Sequence, residues 1–417
     1  MTTDISAAVA RYADRLHTVT GAGHHVASPL GAWLLLALAA PAATGPARAA
    51  LEESLGTDAE AAAHAARSLL SAPHPLVPSA TAFWQRPGIA TAGLDGWRAG
   101  LPEATATGPL PAQAGLDAWA REHTLGLIEA FPLTVTPRVL LVLASALATR
   151  ISWAQPFEVA PAGALGPASG WAGRLGRVLR SPEHGHRCWL ADTARAGTVA
   201  VHAATARAEG AAGLLVVSVA AAPDVAAGDV LAAAHETAAV AAGTPEDDLP
   251  QGRRSLFDVP LGDGPLWTLR EEPTRTYAPD GRQERATAVL PCWSARSRHE
   301  LTAPESGFPA VARVFGELLD APGAEFEAAQ AAVARYGRYG FEAAAVTGFA
   351  TLASLPPEGV ARVAELRFGH PYAVVAVATE ARTGGAPGPW HGVPVFSAWV
   401  AEPEELPEVD VADRYGE

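Results

Sequence analysis

Apolar positions recur at helical spacing through the first third of the chain, and the period then changes. "ISAAVARYADRLHTV" (residues 5–19) is predicted as an amphipathic helix. "SPLGAWLLLALAAPAATGPARAALEESLG" (28–56) opens on Ser28-Pro29, a cap followed by a favourable first-turn residue, and stops at Gly56. Pro41, Gly45 and Pro46 predict a split within it. "DAEAAAHAARSLL" (58–70) and "LDAWAREHTLGLIEAF" (116–131) are predicted as further helices. From Thr136 the character shifts. "VLLVLASALA" (139–148) and "LLVVSVAA" (214–221) are continuous apolar runs, as strands buried on both faces would be, and "DVLAAAHETAAVAAG" (229–243) returns to helix.

Residues 254–302 alternate as short strands and turns, with "APDGR" (278–282) a hairpin-type turn signal. "FPAVARVFGELL" (308–319) is a short helix. "ELRFGHPYAVVAVATE" (365–380) and "GVPVFSAWVAEP" (392–403) are strands separated by a Gly/Pro-rich turn. The acidic segment 406–417 is expected to fray. Helices first and strands later predict an α+β fold, here as a single domain over 1–405.

One segment fits neither pattern. "GFEAAAVTG" (340–348) is too small to build a core and too apolar for an ordinary loop, and Pro356-Pro357 follow soon after.

Composition narrows the chemistry. The 417 residues, 49% apolar, are enough for a large core, and a formal net charge of -14 argues against nucleic acid or an anionic membrane as partner. The longest apolar runs are far shorter than the roughly 20 residues a membrane-spanning helix needs. The N-terminal stretch lacks an apolar signal-peptide core, so a cytoplasmic location is expected, with non-classical export open. Lysine and asparagine are absent, and all 30 basic residues are arginine. That removes a Walker A lysine, a Schiff-base lysine and a Ser-x-x-Lys pair.

"EHGHRC" sets His184, His186 and Cys188 at alternate positions, which on one strand face could ligate zinc; no fourth ligand has metal-site spacing, and no metal or cofactor is expected. No Gly-x-Ser-x-Gly elbow occurs, so a serine hydrolase stands only as a remote alternative, a triad being defined by geometry. Cys188 and Cys292 are either two thiols or one disulfide.

Several segments, in order from about residue 20 to 403, resemble the serpin family. "ASPLGAW…LEESLG" resembles the serpin shutter and the helix after it. Trp119, Thr124, Gly126 and Ile128 are similar to a serpin helix motif, and Trp153, Pro156 and Phe157 to the Trp-x-x-Pro-Phe at the end of the third strand of the main sheet. "AVLPCWSARSRHEL", "LRFGHPYAVVAV" and "VPVFSAWVAEP" look like later strands, and "YGFEAAAVTG" like the proximal hinge of a reactive loop. The lysine- and asparagine-free composition, as from a GC-rich genome, suits a bacterial, actinomycete-like member.

The resemblance implies one domain of about nine helices and three sheets, with a large central sheet and an exposed reactive-centre loop near 338–362. It implies a metastable inhibitor of serine-type endopeptidases, not an enzyme. A protease cleaves the loop, and the loop then inserts as a strand in the central sheet. By its register Gly340 opens the hinge; Phe341, Ala343, Ala345 and Thr347 point inward; Glu342, Ala344 and Val346 point outward. Leu352, Ser354 and Leu355 flank the scissile bond, placed near Ser354-Leu355, for a chymotrypsin- or elastase-like target and a monomeric inhibitor. Trp153 marks the breach, and Ser28, Gly31, Ser145 and Gln330 the shutter. Propensity makes 324–339 a helix, whereas the family register makes part of it the strand before the loop; the register is followed here.

Departures from the pattern suggest a second reading, a non-inhibitory serpin-fold binding or chaperone-like protein. Phe341 stands where inhibitory members carry Thr or Ser, and would overpack the sheet unless its neighbours had shrunk. Gly31, Ser145 and Gln330 replace a serine, an asparagine and a histidine, and Arg338 replaces a glutamate.

Overall fold

The computed structural model describes residues 4–89, 91–245, 248–321, 325–340, 357–380 and 387–411. Among them nine α-helices occur: α1 (Ile5–Thr20), α2 (Pro29–Ala39), α3 (Gly45–Leu55), α4 (Ala59–Ser71), α5 (Ala92–Ala99), α6 (Gln113–His123), α7 (Ala227–Ala242), α8 (Phe308–Leu318) and α9 (Glu408–Val411). The strands are β1 (His25–Ala27), β2 (Ser79–Gln85), β3 (Thr105–Pro109), β4 (Leu141–Leu147), β5 (Glu158–Pro161), β6 (Arg177–Arg180), β7 (His186–Thr193), β8 (Gly197–Thr205), β9 (Ala212–Ala220), β10 (Gly262–Asp263), β11 (Trp267–Arg275), β12 (Arg282–Leu290), β13 (Trp293–Glu300), β14 (Ala329–Tyr336), β15 (Glu358–Arg367), β16 (Tyr372–Glu380) and β17 (Pro394–Val400). The fold is α+β. No helix among the described residues is long and apolar enough to cross a membrane.

Local sequence explains most helix ends. The Ser28 hydroxyl accepts from Gly31 N and Asp58 accepts from Ala61 N, each satisfying an orphan amide of a first turn. A short 3-10 turn at Ala40–Ala42 breaks the 28–56 segment, and Gly56, left-handed at φ 69°, ends α3. Every residue of α2 is buried, as its uniformly apolar sequence requires. The predicted helix over 116–131 stops at His123. Thr124 turns its hydroxyl back onto Ala120 O, and Leu125 and Gly126 take positive φ, which no helix can continue.

A large antiparallel sheet of six strands runs β1-β17-β16-β9-β8-β7, and a second six-stranded sheet runs β10-β11-β15-β12-β6-β5. The turn at "APDGR" is real, with Gly281 at φ 68° and its N–H bonded to Ala278 O. It does not make a hairpin, because β15 lies between β11 and β12 and pairs with both. β15 also takes in residues 358–362, so the expected loop span ends earlier, before Glu358.

The remaining strands form a group of three, β3-β2-β4, and a pair, β13-β14. Over 329–336 the strand expectation holds against helix propensity. β14 pairs along its whole length with β13, from Ala329–Glu300 to Tyr336–Trp293. The C-terminal segment is not frayed up to residue 411: Leu406 is buried, Glu404 N bonds to Cys292 O, and Glu405 accepts from Gly176 N and Arg177 N. Both cysteines are free and buried.

Candidate functional site

The centre of interest is the space between β4 and β14. β4 pairs with β2 along one edge and β14 with β13 along one edge. The other two edges have no ladder partner among the described residues and face each other across a cavity of about 990 Å³. Leu143 and Ser145 of β4, Gln330 and Ala331 of β14, Trp119 of α6 and Phe315 of α8 line it. An unpaired strand edge is a row of N–H and C=O groups seeking a partner, so two facing edges make a slot shaped for one more strand.

The slot is closed at one end by the turn that ends in Gly340. Gly340 forms an antiparallel bridge with Ser152, Trp153 N bonds to Tyr339 O at 3.3 Å, and Phe157 N bonds to Arg338 O at 3.0 Å. Gly340 has φ +76°, and a Cβ there would sit 2.3 Å from Ile151 O, so glycine is required twice over. Trp153 is buried. Its indole donates to Gly337 O at 2.9 Å and its ring meets Phe157 edge-on at 5.8 Å.

Arg338 is a second tie at this end. Its Nε donates to Phe157 O at 3.0 Å, and its Nη1 to Asp410 O at 2.9 Å and Val411 O at 3.2 Å. These last two are carbonyls at the end of α9, which a cation caps favourably. The sequence flags Arg338 as unusual but nothing in it points to these partners, which lie over 70 positions away.

Towards the middle of the slot, Ser28, Gly31, Ser145 and Gln330 come together as one network. Gln330 accepts from Ser28 N at 2.9 Å and donates to Ser28 O at 2.8 Å. Ser28 Oγ donates to Val395 O, and Ser145 Oγ donates to Gly31 O at 2.8 Å. The N-terminus of α2 is thus bonded to β14 on one side and β4 on the other. A Cβ at Gly31 would lie 3.1 Å from both Leu147 Cδ1 and Ser28 Oγ, so this glycine is what lets β4 come close to the helix.

Beside Gly340 lies a second cavity of about 310 Å³, walled by Ile151, Trp153, Val216, Ala334, Tyr336 and Ala376 among others. The loop positions Phe341, Glu342, Ala343, Ala344, Ala345, Val346, Thr347, Leu352, Ser354 and Leu355 lie outside the described residues.

Histidines gather where the sequence gives no local signal. His17 of α1, His25 of β1, His235 of α7 and His299 of β13 pack ring against ring, tilted or edge-on, with centroid distances of 5.5 Å (His17–His25), 6.0 Å (His17–His235) and 5.6 Å (His25–His299). Burial, reinforced for His17 by its histidine neighbours, holds that residue well below the ordinary histidine range; burial lowers His25 and His235 to about 4. Ser397 Oγ lies 2.7 Å from His17 Nε2, a nucleophile–base distance, but the serine is 1% exposed, and beyond the ring stand Thr20 and His25, not a carboxylate.

His186, Cys188 and His184 do not converge. His186 Nδ1 lies 3.0 Å from His202 Nε2 and its Nε2 donates to Gln155 O, while burial pushes the Cys188 thiol up to about 12. No group of three or more His, Cys, Asp or Glu among the described residues could hold a metal ion.

No family model matches the chain, and no curated protein does. Solved structures do. Thyroxine-binding globulin in complex with thyroxine superposes with a TM-score of 0.60 at 14% identity, over 97% of this chain and 100% of that one. The thermophilic serpin tengpin in its native state gives 0.60 at 12% identity, over 96% and 95%. Serpin48 of the insect Tenebrio molitor gives 0.56 at 14%, over 96% and 98%. The chain therefore has the serpin fold.

Proposed function

We propose that this serpin-fold chain inhibits serine proteases as a suicide substrate. The observation that carries the reading is the slot between β4 and β14, two edges without a ladder partner among the described residues, closed at one end by the turn that ends in Gly340. The protease serine attacks the carbonyl carbon of Ser354. The bond to Leu355 N breaks, the new amine takes the proton, and an ester joins the protease to residue 354. Freed at one end, the segment from Phe341 enters the slot and pairs with both edges, drawing the protease with it. Each ordered residue costs about 1–2 kcal/mol of conformational entropy. Ladder bonds to β4 and β14 and burial of the inward side chains must exceed this, which makes the uncut form metastable.

Leu352 and Leu355 near the cut favour a chymotrypsin- or elastase-like target. Arg362, the nearest arginine after Arg338, is paired within β15, which argues against a trypsin-like one. Mixing the protein with chymotrypsin- and elastase-like proteases is expected to give a covalent complex that survives SDS. Cleavage near Ser354 without complex, and without a rise in stability of the cut protein, would overturn the reading.

That outcome would favour a binding protein of the same fold. Phe341 at the hinge and the size of the main cavity support this second reading, and thyroxine-binding globulin, a neighbour in fold, is solved with a small molecule. A hydrolase built on Ser397 and His17 is tested by generic ester hydrolysis and its loss in Ser397→Ala.

A further inference from the structure

We propose that a buried polar pocket between the large antiparallel sheet and the β13–β14 pair is a water-binding site, in which Ser218, Tyr336, Tyr372 and Trp293 hold water as a shared hydrogen-bond partner. The site is independent of the inhibitory reading.

Register brings the groups together. Cys188 of β7 lies opposite His202 of β8, His202 opposite Ser218 of β9, and Ser218 opposite Val374 of β16. Residues directly opposite in an antiparallel pair share a face, so the whole row looks one way. Cys188 and Val374 belong to the main core together with Trp293 and Tyr336, so that way is inward. Tyr372, two positions before Val374, is on the same face. Against this face stand Tyr336 and Trp293, opposite each other in the β13–β14 ladder with their rings stacked at 5.8 Å. Two phenylalanines wall the space between. Phe157 lies 5.7 Å from the Tyr336 ring and 5.4 Å from His202, and Phe368 lies 6.5 Å from His202 and 5.2 Å from Tyr372.

The polar atoms of this pocket have no protein partner. Ser218 Oγ, the hydroxyls of Tyr336 and Tyr372, and Trp293 Nε1 are buried without a hydrogen bond, on residues no more than 3% exposed. His202 Nδ1, in the same row, is a fifth. Burial pushes both phenols above the ordinary tyrosine range; Ser218 offsets this at Tyr336, and Trp293 at Tyr372, so the groups are neighbours. In neither pair are they aligned to bond each other. A buried polar group left unpaired carries its full desolvation cost, and native proteins hold few of them.

The chemistry of the donors and acceptors selects the ligand. The three hydroxyls both donate and accept, and the indole only donates. His202 Nδ1 accepts, because its Nε2 donates to His186 Nδ1 at 3.0 Å while His186 Nε2 donates to Gln155 O. A small molecule that donates and accepts satisfies this mixture. The five groups include no carboxylate and no guanidinium, so an ion would meet no counter-charge. Tyr336 and Trp293 also line the 310 Å³ cavity, which puts room for water against two of the groups.

The test joins a high-resolution crystal structure of the wild type to a double-mutant cycle. Water density is expected about 3 Å from both Ser218 Oγ and the Tyr336 hydroxyl. Ser218→Ala and Tyr336→Phe are each expected to lower the urea midpoint of the intact protein by a few tenths molar. Their double variant is expected to lose clearly less than the sum, since both remove a bond to the same water. Tyr12→Phe, whose hydroxyl bonds directly to Ser306 O, is expected to add to Ser218→Ala in full. Absence of water density, with the hydroxyls bonded directly to each other, overturns the proposal. Higher midpoints in the single variants overturn it too, because removing a dry, unpaired group relieves its desolvation cost. So does full additivity of Ser218→Ala with Tyr336→Phe. Where the variants fold too poorly to compare, the wild-type density decides.

Discussion

Gln330 grips Ser28 through both ends of its amide, accepting from the backbone N at 2.9 Å and donating to the backbone O at 2.8 Å. The contact imitates a ladder rung between β14 and the entry to α2, made by a side chain. Gln330→Ala leaves both backbone groups of Ser28 without these partners. We expect a loss of about 1–3 kcal/mol, read by urea unfolding.

Gly31→Ser restores the residue expected of the family at this place, yet it is predicted to destabilise. The new Cβ would meet Leu147 and Ser28 at 3.1 Å, and the helix could relax only by moving off β4. Overpacking of this kind costs about 1–3 kcal/mol. Equal or higher stability in Gly31→Ser would show that β4 yields without strain.

Gly340→Ala meets Ile151 O at 2.3 Å and a φ of +76°. The bridge to Ser152 is expected to open, with a loss of roughly 1–3 kcal/mol. Trp153, bonded to Gly337 and packed beside this turn, reports the change through its emission spectrum.

Arg338→Met keeps the apolar stem of the side chain but removes the donors to Asp410 O and Val411 O. The segment after Val400 is then expected to be clipped by added protease several-fold faster than in the wild type. Unchanged proteolysis would mean that Leu406 and the Glu405 contacts hold it without the arginine.

Acid should weaken the protein through its buried histidines. His25 and His235 stay neutral in the fold down to about 4, whereas the unfolded chain takes up those protons near 6.5. Between these values the unfolded state binds more protons, so the contribution of these two residues to stability falls as pH drops from about 6.5 to 4. His235 has both ring nitrogens buried without a hydrogen bond. His235→Leu is therefore expected to raise stability and to flatten this slope by about 1–3 kcal/mol over the window. An unchanged slope would remove His235 from the account.

Local chemistry made much of this readable in advance. Ser28-Pro29 and Gly56 mark their helix ends, and Ser28, Gly31, Ser145 and Gln330, singled out by the resemblance, meet in space. β14 is instructive, since "AAQAAVARY" prefers helix and becomes a strand only because β13 offers a partner along its full length. What stayed hidden was non-local. Nothing around "APDGR" says that β15, some 80 residues later, will separate its two strands, and nothing around Arg338 names α9. The histidine cluster joins four elements that no local pattern connects.

The placement of β15 between β11 and β12, and of β16 and β17 between β9 and β1, bears on synthesis. Both large sheets are completed only by residues 358–400. A chain leaving the ribosome at about 5–20 residues per second must keep its earlier strand edges unpaired until residues 358–400 are made. Truncation within β15 to β17 should therefore leave no smaller folded core behind, and the nascent protein has most need of a chaperone until residues 358–400 have emerged.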